Sequence, residues 1–364
     1  MGKHAALLLA SVAALLLAAC SSASAPPPTT LFLVGRRAVT ALHPSDLSTV
    51  ANLSLPAPAV AGVVDAARHR LLLLLGGAAP SLAALPAVTP HLERITRLDL
   101  APRALALGRR ARRIYVLGAA AGGARLQVFN AASGVPLRRL DLAGAPRGLA
   151  FSPAGRILIA TAQPNALVIA PAGLAAPPQT VPLGCAPRQL LSLPYNHKAF
   201  VLCPKRLAVM DTAAPGLLTY LELGARPRRM LLKPDGGELY ISNAEGNISI
   251  VDTGDNEVSG TMLAGAGADA MAVSPGGSTL YVANAAAGTI SVISLASRAQ
   301  LAMVRVGERP VQLALAGDFL FAADAGSGDL AAVRNAADPN NPNTLLTLLP
   351  SPPQPALLAP VPRQ

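Results

Sequence analysis

Two matching stretches of this chain decide its fold. Residues 227–251 read PRRMLLKPDGGELYISNAEGNISIV, and residues 268–292 read ADAMAVSPGGSTLYVANAAAGTISV, 41 positions later. Each stretch starts with a short apolar segment, passes through a turn containing proline and glycine, and continues into two further β-type segments. Short strands joined by tight turns within one repeating unit indicate an antiparallel meander.

The second strand of this unit recurs along the whole chain at spacings of 40 to 43 residues. Its copies start at Leu31, Leu71, Ile114, Ile157, Ala199, Leu239, Leu280 and Leu320. A period in this range is typical of propeller blades or helical arrays, and segments of about five residues bracketed by turn formers exclude helices. Fourth strands at residues 257–263 and 300–306 complete a four-stranded blade.

The repeat count predicts the number of blades and how the ring closes. Seven units run from Pro58 to about Leu349, and residues 31–57 hold three strands of an eighth. Residues 353–358 can supply its missing first strand, which would pair the two ends of the chain and remove exposed sheet edges. We therefore predict an all-β protein, a β-propeller of four-stranded blades over residues 31–362, with eight blades.

The strand Tyr281-Val282-Ala283-Asn284 resembles the motif that names the YVTN-type propeller family, which includes YncE-like envelope proteins. The resemblance covers residues 31–362 and is strongest between residues 224 and 306. It implies seven blades, the alternative to our count of eight. It also implies a role in the cell envelope, an association with DNA, and relatives that host lactonase-like chemistry.

The N-terminus predicts export. A basic start is followed by the apolar run of residues 5–19, which is typical of a signal peptide over residues 1–19. Leu17-Ala18-Ala19-Cys20 is similar to a bacterial lipobox, which implies that Cys20 is lipidated and anchors the protein to a membrane; the alternative is an ordinary cleaved signal. Residues 20–30 would be a tether rich in serine and proline. We expect the protein in the cell envelope, on the extracytoplasmic side, in the periplasm or at the cell surface.

Two further cysteines lie within one blade. Cys185 precedes the first strand of that blade and Cys203 ends the second, so an antiparallel hairpin brings them almost opposite each other. They are candidates for a disulfide, which persists in exported proteins and would contribute roughly 3 kcal/mol by closing a short loop. The alternative is a pair of buried thiols.

Charge is unevenly distributed. The chain has a net charge of +11, with 20 basic and 5 acidic residues in 31–210 but 9 basic and 14 acidic residues in 211–364. In a propeller, the two halves of the sequence become opposite sectors of the ring. One sector is therefore expected to attract polyanions.

Within the basic sector, arginine follows the blade-opening proline in four successive units. Because the first strand of a blade lines the central channel, these residues would form an arc around one mouth of the channel, where guanidinium groups can bind phosphate, sulfate or carboxylate. The alternative is that each side chain merely faces water. The candidates for anion binding are Arg103, Arg147, Arg188 and Arg228.

A second basic patch occupies the turns between the first two strands of adjacent blades, on the opposite face. Such a patch could contact nucleic acid or anionic lipid, but aromatic stacking partners are missing, which argues against single-strand binding. The alternative, which we favour, is a solvated surface. Its members are Arg68, Arg70, Arg109, Arg110, Arg112 and Arg113.

Signals for catalysis are weak. The sequence contains no nucleophile elbow and no covalent haem motif, and only four histidines follow the signal segment. Tryptophan is absent, and this absence argues against a quinone cofactor by family resemblance. The six-residue segment from Asp252 to Glu257 contains three acidic residues but lacks the spacing of a calcium loop. We predict no catalytic residue, no metal and no cofactor.

These observations predict a non-catalytic, lipid-anchored, extracytoplasmic binding or scaffold protein, expected to be a monomer. Its partners would be the membrane, through the lipid anchor, and an anionic ligand at the arginine-lined mouth, a nucleic acid or an envelope protein. The alternative is a lactonase-like or other hydrolase with its active site at the channel mouth, which would need histidines and carboxylates at one mouth. Docking to an envelope protein would need an exposed apolar patch.

Overall fold

The computed structural model describes residues 29–224, 226–334 and 343–363. Within these ranges the chain forms eight four-stranded antiparallel sheets and one short 3-10 helix at Ala66–Arg68. We number the blades in chain order. Blade 1 comprises β4 (Ala59–Asp65), β5 (Arg70–Leu75), β6 (Ser81–Pro86) and β7 (Glu93–Arg97). Blade 2 comprises β8 (Ala101–Leu107), β9 (Arg113–Ala120), β10 (Gly123–Asn130) and β11 (Pro136–Leu142).

The next three blades follow the same order from the inner to the outer strand. Blade 3 comprises β12 (Ala145–Phe151), β13 (Ile157–Ala162), β14 (Ala166–Ala170) and β15 (Gln179–Pro182). Blade 4 comprises β16 (Gln189–Ser192), β17 (Lys198–Leu202), β18 (Arg206–Asp211) and β19 (Gly216–Glu222). Blade 5 comprises β20 (Pro227–Leu232), β21 (Glu238–Asn243), β22 (Asn247–Asp252) and β23 (Glu257–Leu263).

The last three blades complete the ring, and the final one combines both ends of the chain. Blade 6 comprises β24 (Ala268–Val273), β25 (Thr279–Asn284), β26 (Thr289–Ser294) and β27 (Ala299–Arg305). Blade 7 comprises β28 (Pro310–Ala316), β29 (Phe319–Asp324), β30 (Asp329–Arg334) and β31 (Leu345–Pro350). Blade 8 comprises β32 (Leu357–Pro362), β1 (Thr29–Val34), β2 (Ala38–Leu42) and β3 (Thr49–Ser54).

The eight blades close into a β-propeller. The inner strands β4, β8, β12, β16, β20, β24, β28 and β32 each contact the next, and β32 contacts β4. In blade 8, β32 pairs antiparallel with β1, so the two chain ends share one sheet. The predicted all-β propeller, its eight blades and its terminal closure are confirmed, and the seven-bladed alternative does not hold.

Two predicted boundaries differ from the structure. The closing strand is Leu357–Pro362 rather than residues 353–358, because the proline-rich segment before Ala356 forms the approach to the strand. Strand β1 begins at Thr29, inside the segment predicted as a tether. Thr30 is fully buried and its hydroxyl donates to the carbonyl of Ala87 at 2.7 Å, which ties it into the core.

The rest of the N-terminal segment lies outside the described residues. This includes the predicted export signal over residues 1–19, Cys20 and the tether up to residue 28. In the part of the chain that the structure describes, no helix has the length and apolar character needed to cross a bilayer.

The core lies between neighbouring blades. Second strands are buried on both faces; Leu71–Leu75 in blade 1 are fully enclosed. In blade 7, Phe321 belongs to the same apolar cluster as Leu31 and Leu33 of blade 8. Each such buried leucine or phenylalanine contributes roughly 2 kcal/mol. This explains why the second strands of the repeat read as continuous apolar runs.

The first strand of most blades carries a β-bulge at its start. The pairing register with the second strand shifts by one residue after Pro102, Pro146, Pro227 and Pro310. A bulge leaves one residue outside the ladder and re-aims its side chain. The skipped residues therefore stand at one mouth of the channel.

Candidate anion-binding site at the arginine-lined mouth

The four arginines of the predicted arc occupy equivalent places in blades 2 to 5. Arg103, Arg147 and Arg228 are the skipped residues of the bulges in β8, β12 and β20. Arg188 stands directly before β16, and its backbone N–H donates to the carbonyl of Leu202 at 2.8 Å. All four side chains are exposed. Because blades 2 to 5 are consecutive in the ring, the four guanidinium groups lie along half of one channel mouth.

The remaining bulge positions carry no positive charge. Asp269 stands at the irregular start of β24, and Val60 and Val311 are the skipped residues in blades 1 and 7. Among the described residues, the four arc arginines have no side-chain hydrogen bond and no ion pair. At the bulge positions, blades 2 to 5 therefore present unpaired arginines, whereas blades 1, 6 and 7 present valine or aspartate.

The one acidic bulge residue is neutralised inside the ring. The Nε of Arg229 donates to Oδ1 of Asp269 at 2.6 Å, and a second nitrogen of Arg229 donates to the carbonyl of Val311 at 3.3 Å. One guanidinium thus links blades 5, 6 and 7. Because Asp269 is already paired with Arg229, its carboxylate competes little with an external anion for the arc arginines.

Two arc members share a pocket with a further arginine. Arg188, Arg228 and Arg226 line a cavity of about 180 Å³ together with Pro204, between blades 4 and 5. Arg226 donates from Nε to Glu245 at 2.7 Å, and this hydrogen bond lowers the pKa of Glu245 and raises the pKa of Arg226. The pocket is small, so it fits a single phosphate, sulfate or carboxylate group.

A disulfide borders this pocket. The structure bonds Cys185 to Cys203 in blade 4, with their Cα atoms 5.9 Å apart, which is the pairing that the hairpin register suggested. Cys185 lies three residues before Arg188, and Cys203 directly precedes Pro204 of the pocket wall. The crosslink therefore ties the segment that carries Arg188 to the neighbouring strand.

The second basic patch divides into two parts. Arg70 and Arg68 both bond the fully buried carboxylate of Asp65, at 3.1 and 3.3 Å. Arg68 also donates to the carbonyl of Ala111 at 2.7 Å. Because the guanidinium groups of Arg68 and Arg70 compensate a buried charge, these two side chains stabilise the fold and are not free to bind a ligand.

The other four members of the patch surround a pocket. Arg109, Arg110, Arg112 and Arg113 line a cavity of about 880 Å³ between blades 2 and 3, at the end of the ring opposite to the arc. Tyr115 and Phe151 line the same cavity, with ring centroids 4.8 Å apart in an edge-to-face arrangement. The expectation that aromatic partners are missing was wrong, because Tyr115 lies two residues after Arg113 and Phe151 comes from the next blade.

The described histidines do not converge on the arginine-lined mouth. His69 and His197 lie in turns between the first and second strands of blades 1 and 4. His43 and His91 lie between the third and fourth strands of blades 8 and 1. Turns of both kinds are at the end of the ring opposite to the arc. Among the described residues, no group of three or more histidine, cysteine or acidic side chains could hold a metal.

Outer strands of two neighbouring blades expose apolar side chains. Leu301 and Met303 of β27 are 62% and 49% exposed, and Leu346 and Leu348 of β31 are 50% and 46% exposed. These side chains lie on the outer edges of blades 6 and 7. An exposed apolar surface of this kind is what docking to an envelope protein would require.

Comparison with solved structures supports the fold. NirN, the dihydro-heme d1 dehydrogenase in complex with DHE, superposes with a TM-score of 0.75 at 13% identity, over 92% of this chain and 76% of that one. A functionally unknown protein from Desulfotomaculum acetoxidans gives 0.60 at 13%, over 75% and 94%. Hydrazine synthase from Kuenenia stuttgartiensis gives 0.58 at 16%, over 74% and 93%. Similarity at these identities shows a shared β-propeller fold.

Sequence comparisons add no closer relation. No family model matches this chain, and no curated protein matches it.

Sequence reasoning missed four side chains: Arg226, Tyr115 and Phe151, which line the two pockets, and Arg229, which pairs with Asp269. Arg226 and Arg229 flank Arg228 in the run Arg-Pro-Arg-Arg, whose density was a usable signal. Tyr115 and Phe151 had no such signal, because each belongs to a strand that reads as ordinary core. Their relation to the arginine-rich turn depends on the packing of two blades.

Proposed function

We propose that this protein is a non-catalytic binding scaffold that holds an anionic ligand at the arginine-lined mouth of its channel. The observation that carries the proposal is the arc itself: four consecutive blades each present an exposed arginine at the same place, and none of the four has a side-chain partner among the described residues. Unpaired cations held by a rigid ring are a ready site for anionic groups.

The electrostatics of the mouth favour an anion over a cation. The nearby carboxylates of Asp269 and Glu245 are engaged by Arg229 and Arg226. A bound phosphate or carboxylate would gain charge-assisted hydrogen bonds and relieve repulsion among the arc arginines. Each hydrogen bond to a charged group is worth roughly 1.5–3 kcal/mol. A polyanion that spans several blades would engage several of them.

The absence of histidine from this mouth supports binding rather than hydrolysis. Every histidine in the described part of the chain lies in turns at the other end of the ring. A hydrolase would need a nucleophile and a base within hydrogen-bond reach of each other. The arc offers guanidinium groups, which bind anions but do not act as bases.

We also propose that the scaffold is exported and anchored by a lipid on Cys20. The basic and apolar N-terminal segment and the motif ending at Cys20 support this location. A disulfide in blade 4 is consistent with an oxidising compartment. Replacing Cys20 with alanine should abolish labelling by a radioactive fatty acid and release the protein from membranes, whereas labelling of Cys20→Ala would contradict the anchor.

The binding proposal is tested by a thermal-shift screen followed by titration. The panel contains inorganic phosphate, citrate, an acidic polysaccharide, duplex DNA and heme d1, the last because NirN is named for a dihydro-heme d1. A ligand that binds the native state raises the melting temperature. The expected result is a shift that weakens with added salt.

A matched pair of variants identifies the site. In the first, Arg103, Arg147, Arg188 and Arg228 are all changed to glutamine. In the control, Arg94, Arg97, Arg138 and Arg139, which are exposed on outer strands of blades 1 and 2, receive the same change. We expect at least tenfold weaker binding in the first variant and near-native binding in the control. Equal affinity in the two variants, or no binding by any member of the panel, would overturn the proposal.

A further inference from the structure

The cavity between blades 2 and 3 lies at the other end of the ring from the arginine arc. Its volume of about 880 Å³ is in the range of small-molecule sites. Two of its walls are turns, one between β8 and β9 and the other between β12 and β13. These turns belong to different blades, so the cavity exists only in the assembled ring.

One wall of the cavity is strongly cationic. Arg109, Arg110, Arg112 and Arg113 lie within five consecutive positions, and no acidic residue lines the cavity in the described chain. The side chains of Arg109, Arg110 and Arg112 have no hydrogen bond or ion pair with the described residues. Arg113 makes one weak contact, donating to the carbonyl of Ala172 at 3.3 Å. Four clustered guanidinium groups without a carboxylate are stabilised by an anion.

The cationic turn is held in place before any ligand binds. Its ends are joined by a hydrogen bond from the N–H of Gly108 to the carbonyl of Arg113 at 2.9 Å. The carbonyl of Ala111, at the tip, accepts a hydrogen bond of 2.7 Å from Arg68, which is itself fixed by the buried Asp65. Preorganisation lowers the entropy lost on binding.

The floor of the cavity is aromatic. Tyr115 comes from β9 and Phe151 from the end of β12, and their rings meet edge to face at 67°. Tyr115 is almost fully buried, whereas Phe151 is half-buried and offers ring surface to the cavity. The chain has only 3% aromatic residues, so two rings below four arginines are a specific combination. A flat ring can stack there while its charged group reaches the arginines.

We propose that this cavity binds a phosphorylated ligand that carries a flat aromatic ring, the chemistry of a nucleoside phosphate. The phosphate contacts the guanidinium groups of the β8–β9 turn, and the base lies against Phe151. This site is independent of the arginine arc, because the two lie at opposite ends of the ring.

The experiment compares four probes by isothermal titration: AMP, ADP, adenosine and ribose 5-phosphate. Adenosine lacks the phosphate and ribose 5-phosphate lacks the base, so the set separates the two halves of the site. We expect AMP and ADP to bind, and each incomplete probe to bind at least tenfold more weakly than AMP. Equal binding of AMP and ribose 5-phosphate, or no binding of AMP and ADP, would overturn the proposal.

Variants assign the two halves to named residues. The double change R110Q/R112Q alters exposed side chains of the turn and should weaken AMP binding at least tenfold. Phe151→Leu keeps an apolar side chain in the floor, and it should weaken AMP binding while leaving ribose 5-phosphate unchanged. The arc variant with four glutamines should bind AMP as the wild type does, which separates this site from the proposed function. Native AMP affinity in R110Q/R112Q would refute the assignment, even if Phe151→Leu fails to fold.

Discussion

We predict that the carboxyl group of Asp324 makes the stability of the protein depend on pH, and that Asp324→Asn removes this dependence. The same position, the last residue of the second strand, is Asn284 in blade 6. There the side-chain oxygen accepts from the backbone of Gly265 at 3.0 Å, and the amide nitrogen donates to Thr289 and Ser291 at 3.0 and 2.9 Å.

Blade 7 keeps only half of this arrangement. The Oδ2 of Asp324 accepts from the backbone N–H of Gly307 at 3.1 Å, the same bond as in blade 6. In place of the hydroxyl partners, Asp329 stands directly opposite Asp324 at the end of the β29–β30 hairpin. Asp324 is fully buried, and two carboxylates without a proton would repel each other there.

Burial and the neighbouring Asp329 raise the pKa of Asp324 to about 8 from its ordinary value of 3.8. The folded protein therefore holds one more proton than the unfolded chain between these two pH values. The stability from this proton is fully present below about pH 4, and it is lost as the pH rises towards 8. The loss has a maximum slope of about 1.4 kcal/mol per pH unit.

Asp324→Asn supplies the missing donor without a proton that can dissociate. Its amide nitrogen can donate to the Asp329 carboxylate, as Asn284 donates within blade 6. We expect the variant and the wild type to differ most at pH 8, where the variant is the more stable, with the gap closing towards pH 5. A gap of a few kcal/mol would correspond to several degrees in melting temperature.

Urea denaturation at pH 5, 6, 7 and 8 measures this gap. The control is Asp318→Asn, which makes the same chemical change at an exposed position in the preceding turn of blade 7. Parallel pH profiles for Asp324→Asn and the wild type would refute the reasoning. A similar effect of Asp318→Asn would show that net charge, rather than the buried carboxyl pair, is responsible.

Three further predictions concern stability. The double change C185S/C203S should lower the free energy of unfolding by roughly 3 kcal/mol in the chain-entropy model. Denaturation without reductant measures this loss. As a control, reduction of the wild-type protein should cause a loss of the same size. Asp65→Asn leaves the buried ends of Arg68 and Arg70 without a counter-charge and should cost about 3–5 kcal/mol; an unchanged denaturation midpoint would contradict the buried ion pair. Removing residues 357–364 takes away β32 and should expose β1 to proteolysis in the native state, and a cleavage pattern like that of the full chain would contradict closure by this strand.

Much of the fold is encoded locally. A proline near the start of most first strands, glycines in the turns and apolar runs of about five residues act within a few positions, so their recurrence every 40 to 43 residues identified each blade. The position of the closing strand was less accurate. Repeat spacing pointed to residues 353–358, whereas pairing with β1 selects Leu357–Pro362, because the partner strand and not the spacing sets the register.

The candidate site was predictable to the extent that it follows the repeat. Arg103, Arg147, Arg188 and Arg228 were found from their place after the blade-opening residue, and the structure places all four at one mouth of the channel because equivalent positions of a ring must share an end. The ion pair of Arg229 with Asp269 was not predictable in this way. It joins two blades, and no local pattern encodes which side chains meet across such a boundary.

By itself, the sequence determined the β-propeller, its eight blades, the arc of arginines and the hairpin that brings Cys185 near Cys203, since all of these depend on periodicity or on neighbours along the chain. Tertiary structure alone decided which arginines are free. It gave Arg68 and Arg70 the buried Asp65 as a partner, and it set Phe151 below the turn that carries Arg110. The physical reason is that charge compensation and stacking depend on distance in space, and packing between blades sets those distances.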